Sequence, residues 1–166
     1  MIPFKTTAEQ VLKLASIMIE MERSGLDRDF IVAAGELART DQGLYDLMQL
    51  WVDSTADAGE RDEIIADIQE SIDDYREAPA TPYEKPYIHF DRLGEVAEQV
   101  MAKKAKLREI IDRHGGISAV AKKTGIPQPS LSRMLNSPSI PRKSILYRIA
   151  TALKLPESDI VTEWSR

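Results

Sequence analysis

Between Ile117 and Asn136 the chain reads ISAVAKKTGIPQPSLSRMLN, and Ala121 and Gly125 restrict the backbone there more than any other residues. Gly125 interrupts a helical run, and a residue that tolerates positive φ at that point lets the chain turn sharply within a few residues. Ala121, one turn earlier, is the small side chain needed where a second helix passes close to the first. Val120 before the turn, Ile126 just after it, and Leu131 and Met134 further along supply the apolar side chains that two steeply crossed helices bury between them. The spacing predicts two short helices joined at Gly125, the second over about 128–136.

The distribution of charge separates this region from the start of the chain. Residues 1–80 hold 18 Asp and Glu against 7 Lys and Arg, a balance of −11, whereas the whole chain carries −5, so the remainder carries +6. From Met101 to Leu155 there are 12 basic residues and only two acidic ones, Glu109 and Asp112. A basic segment of this kind either pairs with the acidic half of its own chain or marks the footprint of a polyanion.

The segment from about Lys104 to Val161 resembles the lambda-repressor and Cro-like helix-turn-helix family, which includes phage regulators and antitoxins. Leu107, Ile110 and Ile111 correspond to its leading helix, and SILYRIATALKLPESDI to its closing region. Two features depart from the family: Thr124 stands where a larger apolar residue is usual, and Pro127 replaces the usual Ser or Thr cap, with Pro129 following. The resemblance implies a compact five-helix domain whose recognition helix, at about 128–136, enters the major groove. Projected at about 100 degrees per residue, that helix has Leu131, Met134 and Leu135 on one side and Gln128, Pro129, Ser132, Arg133 and Asn136 on the other. Gln128 matches adenine, Arg133 guanine or a phosphate, and Ser132, Asn136 and Ser130 base edges or backbone. Lys122, Lys123, Arg142 and Lys143 are the expected phosphate contacts, which set affinity more than sequence choice.

Ahead of this domain, apolar residues recur at helical spacing in four runs. The first contains Val11, Leu14, Ala15, Met18 and Met21, with Thr6 or Thr7 as its cap. Asp27 opens a second run through Phe30, Ile31, Ala34 and Leu37, and the third contains Leu44, Leu47, Met48 and Trp51. In the fourth, Ile64, Ile65, Ile68, Ile72 and Tyr75 form a stripe that acidic residues mostly flank. Pro79, Pro82 and Pro86 then remove backbone donors within eight residues, so continued helix is not expected there. Beyond them, Asp91 is the expected cap of a helix that ends at Gly115-Gly116. With no strand-like alternation, the reading is all-α: an acidic helical bundle over 1–78, a Pro-rich linker over 79–90, and the helix-turn-helix domain over 91–166.

Other chemistries find little support. There is no cysteine, which excludes disulfides and thiolate-bound zinc. His89 and His114 are the only histidines and neither lies in a Glu-x-x-His arrangement, so the carboxylates of the fourth run read as a solvated face and not as a metal site. No phosphate-cradling glycine loop or nucleophile elbow occurs. Neither catalysis nor a cofactor is expected, and no apolar run approaches a membrane span, so a cytoplasmic, nucleoid-associated protein is expected. The expected function is that of a sequence-specific regulator of transcription, a repressor binding double-stranded DNA as a homodimer through its acidic part, in the prokaryotic or phage setting that the resemblance implies. Two alternatives give the acidic part a different role. It neutralises a toxin protein in an antitoxin, or it competes with DNA for the basic domain.

Overall fold

The computed structural model describes residues 2–77, 93–160 and 164. Among these the regular elements are nine helices and no strand: α1 (Ala8–Arg23), α2 (Arg28–Ala38), α3 (Gln42–Asp53), α4 (Ala58–Arg76), α5 (Leu93–Arg113), α6 (Gly116–Thr124), α7 (Gln128–Asn136), α8 (Lys143–Ala152) and α9 (Glu157–Ile160). The all-α expectation holds. The chain divides into two compact units, Met1–Ala80 with Gly125–Ser130, and Thr81–Thr124 with Leu131–Arg166. The expected linker at 79–90, with His89, and the expected cap Asp91 lie outside the described residues.

In the first four helices, side-chain oxygens accept from backbone N–H groups that helix geometry leaves without partners. Thr7 caps α1 in a reciprocal arrangement with Gln10, and Asp27, Asp41 and Asp57 cap α2, α3 and α4. Asp57 accepts from two N–H groups, those of Gly59 at 2.8 Å and Glu60 at 3.2 Å. Acidic residues at these positions also complement the helix dipole. Part of the acidic excess of the first 80 residues is therefore structural.

The four helices enclose one apolar core to which Leu14, Ile17, Met21, Phe30, Ile31, Ala34, Leu44, Met48, Trp51, Ile64, Ile65, Ile68 and Ile72 contribute. Two assignments made from periodicity are corrected. On α1 the buried line runs through Ile17, and Ala15 faces outward; Ile17 offers far more apolar area, so burying it is worth more. On α4, Tyr75 is 70% exposed, whereas Gln69 and Asp73 are buried and bonded to each other, Gln69 Nε2 donating to Asp73 Oδ1 at 2.9 Å. Burial of a carboxylate is tolerable when it accepts such bonds. Arg61 closes the α3–α4 end, its guanidinium 4.3 Å from the Trp51 ring centroid and its Nε donating to the Trp51 carbonyl at 3.1 Å.

The cap at α4 gives a direct check of this local accounting. Asp57→Ala is expected to lower the stability of the chain by about 1 kcal/mol in equilibrium urea denaturation. An unchanged unfolding midpoint would show that the two N–H groups find water at no cost.

Candidate nucleic-acid interface

The join between α5 and α6 is built on glycine. Gly115 has φ +103, and a Cβ there would come within 2.8 Å of Ala119 Cβ, so backbone conformation and space both exclude a side chain. At the far end of α6, Gly125 adopts φ +72, the left-handed conformation that the sequence required of it. Thr124, unusual for the family, has its hydroxyl donating to the Val120 carbonyl at 2.8 Å, within its own helix. Its own carbonyl accepts from Arg148 Nη2 of α8 at 2.8 Å. A cation at a helix C-terminus meets the negative end of the dipole, so Arg148 secures the turn.

Apolar burial around this turn follows the sequence closely. Val120, Ile126, Leu131 and Leu135 are each at most 2% exposed, as are Leu146 and Ile149 of α8. Met134, expected in the core beside Leu131, is only half-buried; Leu135, four residues on from Leu131, takes its place, and these two form the hidden stripe of α7. The helix opens without a side-chain cap from Pro127, whose carbonyl accepts from Ser130 N at 3.0 Å. Pro129 falls in the first turn, where a missing N–H costs nothing.

The expected base-reading residues fall in three settings. Gln128 and Asn136, at the two ends of α7, are exposed. Ser132 and Arg133 are half-buried. Ser130 is half-buried as well, and its Oγ is enclosed with no hydrogen-bond partner among the described residues. Of the expected phosphate contacts, Lys122 and Lys123 are exposed on the last turn of α6. Arg142 and Lys143 stand at the start of α8, Arg142 half-buried at the cap position and making no cap hydrogen bond with its side chain, Lys143 exposed. Cations at a helix N-terminus gain nothing from the dipole, but together with the first N–H groups they make an anion-attracting corner.

Two basic residues of α5 that charge counting alone places on the surface, Lys104 and Arg108, hold α7. Val100, Leu107 and Ile111 are buried on α5, and the position that continues their line is Lys104, only 1% exposed. Its Nζ donates to the backbone carbonyls of Met134 and Ser137, at the C-terminal end of α7. One turn further along α5, Arg108 Nη2 donates to Asn136 Oδ1 at 2.7 Å, and Asn136 Nδ2 donates to Ser132 Oγ at 3.4 Å. A basic residue at an otherwise apolar position of a helical stripe was the signal available in the sequence. His114 Nδ1 lies 2.8 Å from the Ile110 carbonyl, a helix-end contact consistent with a structural role.

Among the described residues no group of three or more His, Cys, Asp or Glu side chains is arranged to hold a metal ion, and no described helix is long and apolar enough to cross a membrane.

Burial also leaves a titration signature on Lys104. Desolvation lowers its pKa from 10.5 to about 8. Between those values the unfolded chain binds this proton more tightly than the folded one, so the contribution of Lys104 makes stability rise with pH across that window. The stability of the natural chain minus that of Lys104→Met should therefore increase between about pH 7 and about pH 9.5 in urea denaturation. A difference independent of pH would mean that the amine is solvated.

Residues 107–160 match the family model described as helix-turn-helix. No curated protein and no solved structure matches the chain. The matched segment runs from Leu107 on α5 to the end of α9 and includes the whole of α6, the turn at Gly125 and α7. Over residues 107–160 the C-terminal part of this chain is similar to the helix-turn-helix family, the lambda-repressor and Cro-like type of DNA-binding regulator.

Proposed function

We propose that this chain is a sequence-specific transcriptional repressor that binds operator DNA as a homodimer, with α7 as its recognition helix, and that it acts by binding and not by catalysis. The observation that carries this reading is the division of α7 into two sides. Leu131 and Leu135 are buried, while Gln128 and Asn136 are exposed and exposed lysines occur on α6 and at the start of α8. In this reading Lys122, Lys123, Arg142 and Lys143 contact phosphates and place the helix, while Gln128, Ser132 and Arg133 read base edges. The inserted helix covers about half an operator, and a second copy related by two-fold symmetry reads the other half. Ser130 is the weakest member of the reading set, because contact with a base would require its enclosed hydroxyl to be uncovered.

The antitoxin reading shares the DNA-binding half and is favoured by the acidic surface of α4, where Asp62, Glu63, Glu70 and Asp74 are exposed. Such a surface complements a basic partner protein. Co-expression with the adjacent open reading frame separates the two readings, since only an antitoxin retains a small basic partner through purification.

Binding of the full chain to a duplex selected from random sequence should weaken by decades between low and moderate salt if several phosphates are engaged. A flat salt response would remove the phosphate contacts from the account. Arg133→Ala should cost about 1–3 kcal/mol at one base pair and relax preference there, whereas Lys122→Ala should weaken all duplexes alike and reduce the salt slope by about one. Equal losses on selected and random DNA from both variants would take Arg133 out of the reading role. Sizing of the complex by light scattering should give two chains per operator, and one chain would contradict the dimer.

A further inference from the structure

This inference deepens the reading of α7 as the DNA-reading helix and rests on it. A guanidinium has hydrogen-bond donors and no acceptor. With Arg108 Nη2 placed 2.7 Å from it, the Asn136 amide must therefore turn its oxygen towards α5. Its nitrogen faces the other way and donates to Ser132 Oγ, one turn back on the reading side of α7. Having accepted that bond, the Ser132 hydroxyl keeps its own proton to give elsewhere. Asn136 keeps one further N–H and is exposed. Its backbone is also held, because Lys104 donates to the carbonyls of Met134 and Ser137 on either side of it in sequence. Burial of Leu131 and Leu135 sets which side of α7 faces inward. Hydrogen bonds from Lys104 and Arg108, one turn apart on α5, add directional contacts at its C-terminal end.

An asparagine that reads adenine must accept from N6 with its oxygen and donate to N7 with its nitrogen, whereas guanine presents acceptors at both N7 and O6. We propose that Arg108 is a specificity-determining positioning residue: by holding the Asn136 oxygen it makes Asn136 and Ser132 a pair of donors, which favours a guanine edge over adenine at the base pair they face. Arg108 acts through Asn136 and touches no base.

Selection of bound sequences from random duplexes by the full chain tests this. The natural chain should select guanine at a pair whose preference disappears in Asn136→Ala. Arg108→Met should move that pair towards adenine, by about tenfold in relative affinity, and leave the other positions unchanged. The double variant should match Asn136→Ala alone, since the effect of Arg108 passes through that side chain. Arg108→Lys, which also only donates, should keep guanine, whereas Arg108→Glu, which when ionised can only accept, should not; this pair retains the test if the methionine variant fails to fold. The proposal is overturned if Arg108→Met or Arg108→Glu selects the same sequence as the natural chain, if Asn136→Ala alters no position, or if the shift persists without Asn136. A natural chain that selects no sequence would overturn the repressor reading itself, an outcome distinct from the natural chain selecting a sequence that the Arg108 variants leave unchanged.

Discussion

The left-handed backbone at Gly125 is the constraint on which the functional part of this molecule depends. With φ at +72, the chain leaves α6 and re-enters helix at Gln128 within a few residues. A β-carbon there would incur the steric cost that makes this conformation rare for other residues. From that bend follow the direction of α7, the burial of Leu131 and Leu135, and the outward placement of Gln128 and Asn136. The bend is secured by contacts at the end of α6, the Thr124 hydroxyl to the Val120 carbonyl and Arg148 to the Thr124 carbonyl. The Thr124 carbonyl, at the end of α6, would otherwise need water.

The basic residues of the second half divide by role once their partners are known. Lys104, Arg108 and Arg148 donate to backbone carbonyls or to Asn136 and are parts of the fold. Lys122, Lys123 and Lys143 are exposed. Net positive charge in a nucleic-acid-binding segment is therefore an upper bound on what reaches phosphate. A buried ammonium such as Lys104 costs desolvation that an apolar side chain would avoid. Its retention at the end of α7 is intelligible if placing that helix matters more than maximal stability.

The turn, the apolar side of α7 and the helical class were legible in the sequence because each rests on local rules: positive φ at glycine, a small residue at a close approach, apolar spacing near 3.6; which of Met134 and Leu135 is buried deepest was not. The caps Asp27 and Thr7 were legible for the same reason. What escaped depends on neighbours distant in the chain. Lys104 sits in an apolar stripe, but its partners are 30 and 33 residues away, so charge alone suggested a surface role. The burial of Ile17 in place of Ala15 and the exposure of Tyr75 depend on the packing of the neighbouring helices, which periodicity within one helix does not carry. The engagement of Asn136 by Arg108 was likewise invisible, because the two residues are 28 apart in the chain.

On the proposed reading, α7 and the lysines beside it form the surface that meets a duplex. Amide chemical-shift mapping of the full chain during titration with its selected operator measures this directly. The account expects the largest perturbations at Gln128–Asn136, at Lys122 and Lys123, and at the start of α8, with α1 to α4 changing little except where a second copy contacts them. Perturbations concentrated on α1 to α4, with the amides of Gln128–Asn136 unmoved at saturation, would contradict it.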